Sequence, residues 1–416
     1  MRRIVLGVFV LLAVLGAACG SESENAGTVT SGAPGGATET LKIGAALSLT
    51  GKLSREGILT REGYDYCADK VNAKGGVKAG DKTYKIAISY QDDKSTPDTA
   101  AQLVDQMNDQ NIKFILGPYG SASTEAAAAV VEKNGQLMVE GAGADNKIFD
   151  KGYKQTFAVL SPASSYVTSM IKAATELASP KPKTAAFLSA DDGFSKTATE
   201  AGIKEARDQG LEVVATEYFA NGATDVSSQL TKVKPKNPDL ILGSVHLAEG
   251  IAIIKQSQEL GVNPKGGFGL TVAVPTPTFV KTLGKAANYV IGSSQWTPET
   301  KGSDDIFGTA EDYASGIRSK LGHAPEYHNA EATAACLALV KAIEGAGSTD
   351  VAKVRDELAG LDMDSFFGRI KFDSTGKNAD KPMSVIQIQD GKLVTVWPKA
   401  AGTKALQWPT PPFGQR

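Results

Sequence analysis

Short apolar stretches alternate with longer amphipathic stretches along most of the chain, beginning at residue 41. Within several of these short stretches every second residue is apolar, which is typical of strands. In the stretches between them, apolar residues recur every three or four positions, which predicts helices that bury one face. In the first series the predicted strands are 41–47, 84–90, 114–116 and 137–139, and the predicted helices are 58–71, 96–108 and 123–134.

The pattern pauses at residues 157–160 and then repeats. The second series predicts strands 184–188, 211–218 and 240–242 and helices 164–177, 196–209, 226–233 and 248–260. A third section adds helices 306–320 and 330–343 and short strands 368–372 and 384–389. Strands that alternate with helices favour parallel sheets with right-handed crossovers.

We therefore predict an α/β protein with two doubly wound parallel-sheet lobes joined by a hinge that the chain crosses several times. The crossings are expected near Leu160, Ser293 and Phe367. The first lobe then comprises residues 41–160 plus 294–367, and the second comprises 161–293 plus 368–400. Residues 401–416, with prolines after Trp408, are predicted to form an extended surface tail.

Composition excludes several classes of protein. The 416 residues carry 44 Lys and Arg against 46 Asp and Glu, a formal net charge of −2, so no basic field for nucleic acid is expected. Three Cys and three His exclude a disulfide-dense scaffold and argue against a His/Cys metal cage. Gly141 and Gly143 are too few for a dinucleotide-binding fingerprint, and we expect no cofactor.

The first residues have the pattern of an export signal. Two arginines precede an apolar stretch over 4–18, which is shorter than the ~20 residues that span a bilayer. Residues 15–19 resemble the lipobox of bacterial lipoproteins, which implies that Cys19 is acylated and anchors the exported protein to the outer face of the cytoplasmic membrane. Residues 20–40 are rich in Gly, Ser and Thr and are predicted to be a flexible tether.

The two remaining cysteines, Cys67 and Cys336, both fall in predicted helices. Export permits a disulfide between them. Two separate, buried, small apolar side chains are an equally good interpretation. The sequence leaves both alternatives open.

Two loops that follow strands are candidates for ligand contact. The loop after the third strand opens a helix whose free N–H groups and dipole suit an anionic group, although helix capping explains its serine equally well. The loop after the fourth strand is made of small residues, which let a ligand approach the backbone. Ligands of such sheets bind at the carboxyl ends of strands, so the cleft between the lobes is the expected site. The candidates in these two loops are Tyr119, Gly120, Ser121, Ala142, Gly143 and Ala144.

Four stretches carry a family resemblance: residues 41–47, 72–77, 91–93 and 117–134. They resemble the leucine/isoleucine/valine-binding family, type I periplasmic solute-binding proteins that serve ABC importers of branched-chain amino acids. The resemblance extends from residue 41 to about 395. It implies a monomeric, non-enzymatic protein that binds a small solute and delivers it to the transmembrane subunits of a permease.

The resemblance also implies roles for individual residues. Ser121, Ala142 and Ala144 fall where the family holds the α-groups of an amino acid, but Ala144 lacks the hydroxyl of the family's threonine. Thr271 falls where the amino-acid binders place an acid for the ammonium. Phe194 resembles an aromatic residue that covers the ligand, and His246 falls near a tyrosine that touches it.

Other interpretations remain open at this stage. Because of the departures at Ala144 and Thr271, the ligand is either an amino acid or a solute without an ammonium group, such as an amide, a small carboxylate or an aromatic acid. Arg55 and Glu56 are predicted to face the same cleft. A sensory receptor domain is a further alternative, whereas an exported hydrolase is disfavoured because no nucleophile with an identifiable base stands out.

Overall fold

Two α/β lobes, each built on its own sheet, form the part of the chain that the computed structural model describes, residues 38–416. Both sheets are mainly parallel, which confirms the predicted fold class. The predicted export signal, Cys19 and most of the predicted tether lie outside the described residues.

The first lobe begins with a six-stranded sheet. Its strands are β1 (Thr38–Leu47), β2 (Val77–Ala79), β3 (Lys82–Asp92), β4 (Phe114–Leu116), β5 (Leu137–Glu140) and β6 (Thr156–Ala158). Its helices are α1 (Ser54–Ala73), α2 (Pro97–Asp109) and α3 (Ser121–Asn134). The strand order is β2-β3-β1-β4-β5-β6, with only β2 antiparallel to its neighbour. Residues 38–40 pair with β3, so they belong to this sheet and not to the predicted tether.

The chain then passes into the second lobe. Its elements are α4 (Ser164–Leu177), β7 (Thr184–Ala190), α5 (Gly193–Asp208), β8 (Glu212–Phe219), α6 (Ser227–Val233), β9 (Leu240–Ser244), α7 (Leu247–Leu260), β10 (Phe268–Leu270), α8 (Pro277–Leu283) and β11 (Ile291–Ser294). The chain next returns to the first lobe, where it forms β12 (Ser303–Asp304), β13 (Gly308–Thr309), α9 (Ala310–Leu321), α10 (Tyr327–Ala346), α11 (Val351–Gly360), β14 (Asp362–Met363) and β15 (Ile370–Lys371).

The second sheet is completed by the last part of the chain. β16 (Ser384–Gln389) and β17 (Lys392–Trp397) add to it as antiparallel strands, which gives the order β17-β16-β11-β10-β9-β7-β8. Residues 401–416, predicted as an extended surface tail, have little regular structure and are mostly exposed, with Phe413 buried. They pack on the second lobe, where the Phe413 ring lies 6.0 Å from that of Phe268 and the Trp408 indole donates to the carbonyl of Pro180.

Helix α10 is the centre of the first lobe's core. Its residues are apolar on nearly all sides, as is typical of a helix that is buried all round. Helices α1 and α11 and the sheet cover it. Gly63 of α1 allows α1 to approach α10 closely, since a Cβ there would lie 2.4 Å from the carbonyl oxygen of Asn329. Among the helices of residues 38–416, α10 included, none is both long enough and apolar enough to cross a membrane.

A disulfide joins α1 to α10. It links Cys67 to Cys336, with Cα atoms 6.2 Å apart, and so resolves the alternatives that the sequence left open. Both residues are completely buried in the first lobe's core.

The chain crosses between the lobes three times. The first two crossings follow β6 and β11, at residues 159–163 and 295–302. The third lies at residues 379–383, so the prediction of a crossing near Phe367 is wrong. Phe366, Phe367 and Phe372 all pack into the first lobe's core, and Lys377 forms a parallel bridge with Ala158 of β6.

A buried polar cluster ties the three crossings together. The side-chain amide of Gln295 accepts a hydrogen bond from the Ser161 N–H and donates one to the Ser161 carbonyl, both at 2.9 Å. The Ser161 hydroxyl donates to the carbonyl of Lys381, whose ammonium donates back to the carbonyl of Gln295. Each crossing is therefore fixed to the other two.

Replacing both disulfide cysteines, Cys67→Ser with Cys336→Ser, is expected to lower the free energy of unfolding by about 2–5 kcal/mol, because the unfolded chain regains a large closed loop. Urea unfolding of the oxidised wild type and of the double variant measures the difference. Wild type treated with a reductant is the control and should match the variant. Equal stability of the oxidised wild type and the variant would contradict the prediction.

Candidate functional site

A cavity lies in the cleft between the lobes. Its lining residues are Tyr119, Gly120, Ser121, Ala142, Ala144, Leu160, Tyr166, Phe194, His246, Val272, Tyr327 and Glu331. It adjoins a larger recess that shares Tyr119, Gly120, Ser121, Phe194 and His246 with it. Of the candidate ligand-binding residues from the sequence, only Gly143 and Thr271 do not line the cavity.

The start of α3 forms one wall. Gly120 precedes the helix with a φ of 87°, and no side chain caps the helix start. The Ser121 hydroxyl accepts a hydrogen bond from the Asp145 N–H at 3.1 Å, so its own proton remains available to a ligand. The free N–H groups and the positive end of the helix dipole suit an anionic group here.

The turn after β5 forms the adjoining wall. The buried Glu140 carboxylate accepts hydrogen bonds from the N–H groups of Ala142, at 2.7 Å, and Gly143, at 2.5 Å. Burial raises the pKa of Glu140 to about 7 in spite of these two bonds, which lower it. Gly143 lies behind the cavity wall, where a Cβ would approach Thr124 to 2.5 Å.

Aromatic rings from both lobes cover the cavity. Phe194 stands edge-on to Tyr166, with ring centroids 5.0 Å apart, and the His246 ring lies 5.7 Å from Phe194. On the first lobe, the Tyr119 hydroxyl lies 3.4 Å from Nε2 of His328, and the Tyr327 ring stacks on the same imidazole. The pocket therefore combines a flat aromatic surface with few polar groups.

His246 is paired with an acid of its own lobe. Its Nε2 lies 3.4 Å from Oδ2 of Asp192, the residue that caps α5 through the Ser195 N–H. Burial lowers the pKa of His246, but the hydrogen bond and charge of Asp192 outweigh it, so the net pKa is raised. The pKa of Asp192 is lowered because the same contact outweighs its own burial.

Thr271 has a structural role, and its assignment to the ligand is wrong. Its side chain is completely buried, donates to the Val245 carbonyl at 2.7 Å and accepts from the Val245 N–H at 2.8 Å. Its neighbour Val272 lines the cavity in its place. The acid that lines the cavity is Glu331, which comes from α10 of the first lobe.

Sequence reasoning missed five lining residues: Leu160, Tyr166, Val272, Tyr327 and Glu331. The sequence did contain a signal for Glu331, which is the one charged residue in the alanine-rich stretch 327–340. Tyr327 lies one turn before it, on the same face of the helix.

Arg55 and Glu56 do not line the cavity or the recess, so their place at the cleft stays a prediction. They lie in the first turn of α1, where the Arg55 guanidinium pairs with Glu56 at 3.3 Å and with Glu326 at the start of α10. Lys52 and Leu53, in the loop before α1, line the outer recess.

The two lobes touch directly at the edge of the cleft. The Thr197 hydroxyl of α5 donates to Oδ1 of Asp145, from the first lobe, at 2.7 Å. Gly193 at the start of α5 makes this approach possible, because a Cβ there would lie 2.4 Å from Oδ2 of Asp145.

Comparison with known proteins identifies relatives across most of the chain. A family model described as periplasmic binding protein matches residues 40–392. A Leu/Ile/Val-binding protein homologue from Brucella melitensis is 23% identical, over 90% of this chain and 95% of its own length.

Two solved structures show the same fold. The branched-chain amino acid transporter substrate binding protein of Streptococcus pneumoniae, in complex with isoleucine, superposes with a TM-score of 0.73 at 22% identity, over 85% of this chain and 98% of its own. An ABC transporter solute binding protein of Rhodopseudomonas palustris, in complex with 3,4-dihydroxybenzoic acid, also gives 0.73, at 18% identity, over 89% of this chain and 99% of its own.

The pairing of His246 with Asp192 predicts a pH dependence of stability. Because the pKa of His246 is higher in the folded than in the unfolded chain, its contribution is fully present below about pH 6.5 and is lost as the pH rises through the folded pKa. Urea unfolding between pH 5.5 and 8.5 should therefore show wild type losing stability relative to His246→Gln as the pH rises. A difference that does not change with pH would contradict this assignment.

Proposed function

Because the chain belongs to the periplasmic binding protein family, we propose that it is the extracytoplasmic solute-binding component of an ABC importer. The observation that carries the proposal is a cavity lined by both lobes beside a hinge of three crossings. A solute that contacts both lobes shifts the hinge equilibrium towards closure. The closed form then docks on the permease, and the partner's ATPase supplies the energy for transport.

The solute proposed first is a branched-chain amino acid or a close relative. The uncapped start of α3, with the Ser121 hydroxyl, suits the solute's carboxylate. Leu160, Phe194 and Val272 supply apolar surface for an aliphatic side chain. The Brucella and Streptococcus relatives have names or bound ligands of this class.

An aromatic acid is the second candidate. The rings of Tyr119, Tyr166, Phe194 and Tyr327 all line the cavity and offer stacking partners for a flat ligand. The Rhodopseudomonas relative binds 3,4-dihydroxybenzoic acid within the same fold.

The protein's placement in the cell is part of the proposal. Cys19 would be acylated after signal cleavage, and residues 20–37 would connect the lipid to the first lobe. A single acyl chain binds membranes reversibly, whereas two or more hold a protein stably. The protein would act as a monomer, with the permease as its partner.

A thermal-shift screen of residues 24–416 against amino acids, amides, small carboxylates and aromatic acids tests the proposal. Leucine, isoleucine or valine at about 100 times the dissociation constant should add about 2.7 kcal/mol of stability and raise Tm by a few degrees. Stabilisation by aromatic acids alone would favour the second candidate. A protein that none of these solutes stabilises would contradict solute binding in this cleft.

The solute that the screen identifies then tests whether Ser121, at the start of α3, binds the ligand. Ser121→Ala should weaken binding about 5- to 30-fold, because a hydrogen bond of about 1–2 kcal/mol is lost. Thr271→Val is the matched control: it should lower stability and leave the dissociation constant unchanged, since its hydroxyl bonds only Val245. Isothermal titration calorimetry measures the dissociation constants of both variants. An affinity of Ser121→Ala equal to that of wild type would show that the serine does not bind the ligand.

Cys19→Ser in the full-length chain is expected to move the protein from the membrane fraction to the soluble fraction, because acylation requires the thiol. Fractionation of cells that express each form, followed by immunoblotting, measures the distribution. Persistent membrane association of the variant would contradict the lipid anchor.

A further inference from the structure

Glu331 is a buried acid that lines the cavity and is not fully hydrogen-bonded. The residue is 2% exposed, and its Oε2 has no hydrogen-bond partner among residues 38–416. Leaving a buried polar atom unpaired is costly, and a buried carboxylate without a counter-charge is more so. Such a group in a ligand cavity points to a missing partner on the ligand.

Lys381, whose charge acts on Glu331, has its hydrogen bonds elsewhere. The ammonium of Lys381 donates to the carbonyl of Gln295 at 2.5 Å and lies 4.2 Å from the centre of the Phe367 ring. It acts on Glu331 through its charge but makes no hydrogen bond with it among the contacts of the described residues.

The other titratable groups that act on Glu331 through their charge are tyrosines and a second acid. They are Tyr64 of α1, Tyr119 before α3, Glu140 of β5, Tyr166 of α4 and Tyr327 of α10 itself. His246 lines the same cavity but is paired with Asp192. Burial, and then the charge of Glu140, raise the pKa of Glu331 well above its usual value, and Lys381 offsets them only in part. The surroundings of Glu331 therefore favour its neutral, protonated form more strongly than water does.

We propose that Glu331 supplies the counter-charge for an ammonium group of the solute and releases a proton to solvent as that group enters. The inference rests on the proposed function and specifies which residue recognises the ammonium group of the solute. Tyr119, Tyr166 and Tyr327 line the same cavity, and aromatic rings attract cations. With the solute's carboxylate at the start of α3, the first lobe alone would hold both charged ends of an amino acid.

A solute carboxylate in the same place has a different requirement. An aromatic acid with its carboxylate beside Glu331 would have to keep Glu331 protonated, because two ionised carboxylates there would repel each other beside the third acid at Glu140. The second lobe contributes Phe194, His246 and Val272, so its part is to cover the apolar side of the solute.

The test compares L-leucine with 4-methylpentanoate, which is leucine without its amine, in wild type and in Glu331→Gln. Wild type should prefer leucine at least tenfold, and the variant should lose leucine affinity by about 10- to 100-fold while binding 4-methylpentanoate as well as wild type does. Glu249→Gln is the matched control, because Glu249 is also buried with an unpaired oxygen but does not line the cavity. It should behave like wild type.

A second measurement does not depend on any variant. The enthalpy of leucine binding to wild type, measured by calorimetry at pH 6 in phosphate and in a buffer of high ionisation enthalpy, should differ because a proton is released. The difference should vanish in Glu331→Gln and persist in Glu249→Gln.

The outcomes separate the two proposals. A variant Glu331→Gln that keeps the wild-type preference for leucine, or a wild type whose binding enthalpy is the same in both buffers, overturns the role of Glu331. A wild type that binds 4-methylpentanoate or an aromatic acid in preference to leucine also overturns it, while solute binding stands. A wild type that binds none of the solutes of the screen overturns the proposed function, and the role of Glu331 with it.

Discussion

The side-chain amide of Gln295 is the contact on which the two-lobed arrangement depends. Where the chain crosses between lobes it leaves both sheets, so its buried N–H and C=O groups lose their strand partners and must be satisfied in another way. Gln295 pairs with both backbone groups of Ser161, as a neighbouring strand would. The same amide donates to the hydroxyl of Tyr166, whose ring lines the cavity, so the hinge and the ligand site share a hydrogen-bond network.

The site is divided unequally between the lobes. The first lobe contributes the start of α3, the turn held by Glu140, and Glu331 of the buried helix α10. The second contributes mainly rings and apolar side chains, with His246 neutralised by Asp192 of its own lobe. The polar groups of the cavity are thus concentrated on the lobe that contains the disulfide. Groups that are held in place before binding lower its entropic cost.

Local pattern was enough to predict most of the fold. Strand and helix periods identified the order of elements, and α4 has the predicted bounds, because each element buries a face that the sequence repeats. The third crossing was misplaced because phenylalanines 366, 367 and 372 are apolar in either lobe, and only packing decides which core they enter. The hairpin strand β17 and the helix α11 were missed because they are half exposed and short.

The same limit applies to the site. Residues in loops after strands were found because topology alone brings those loops to the cleft. Thr271 and Glu331 could not be placed this way: one turns away from the cavity to bond Val245, and the other enters it from a helix far along the chain. Both depend on the packing of elements that are distant in sequence.

Gly193 gives the cleft a steric stop that involves no ligand group. The Asp145 carboxylate occupies the space that a side chain at Gly193 would need. The Thr197 hydroxyl and the N–H of Lys147 hold the carboxylate there. Any larger residue at this position would act as a wedge, because the carboxylate would have to abandon those bonds or the lobes would have to separate. The apparent affinity for a solute scales with the fraction of molecules that can close. A single added methyl group, as in Gly193→Ala, would therefore lower the affinity without changing which solute is preferred.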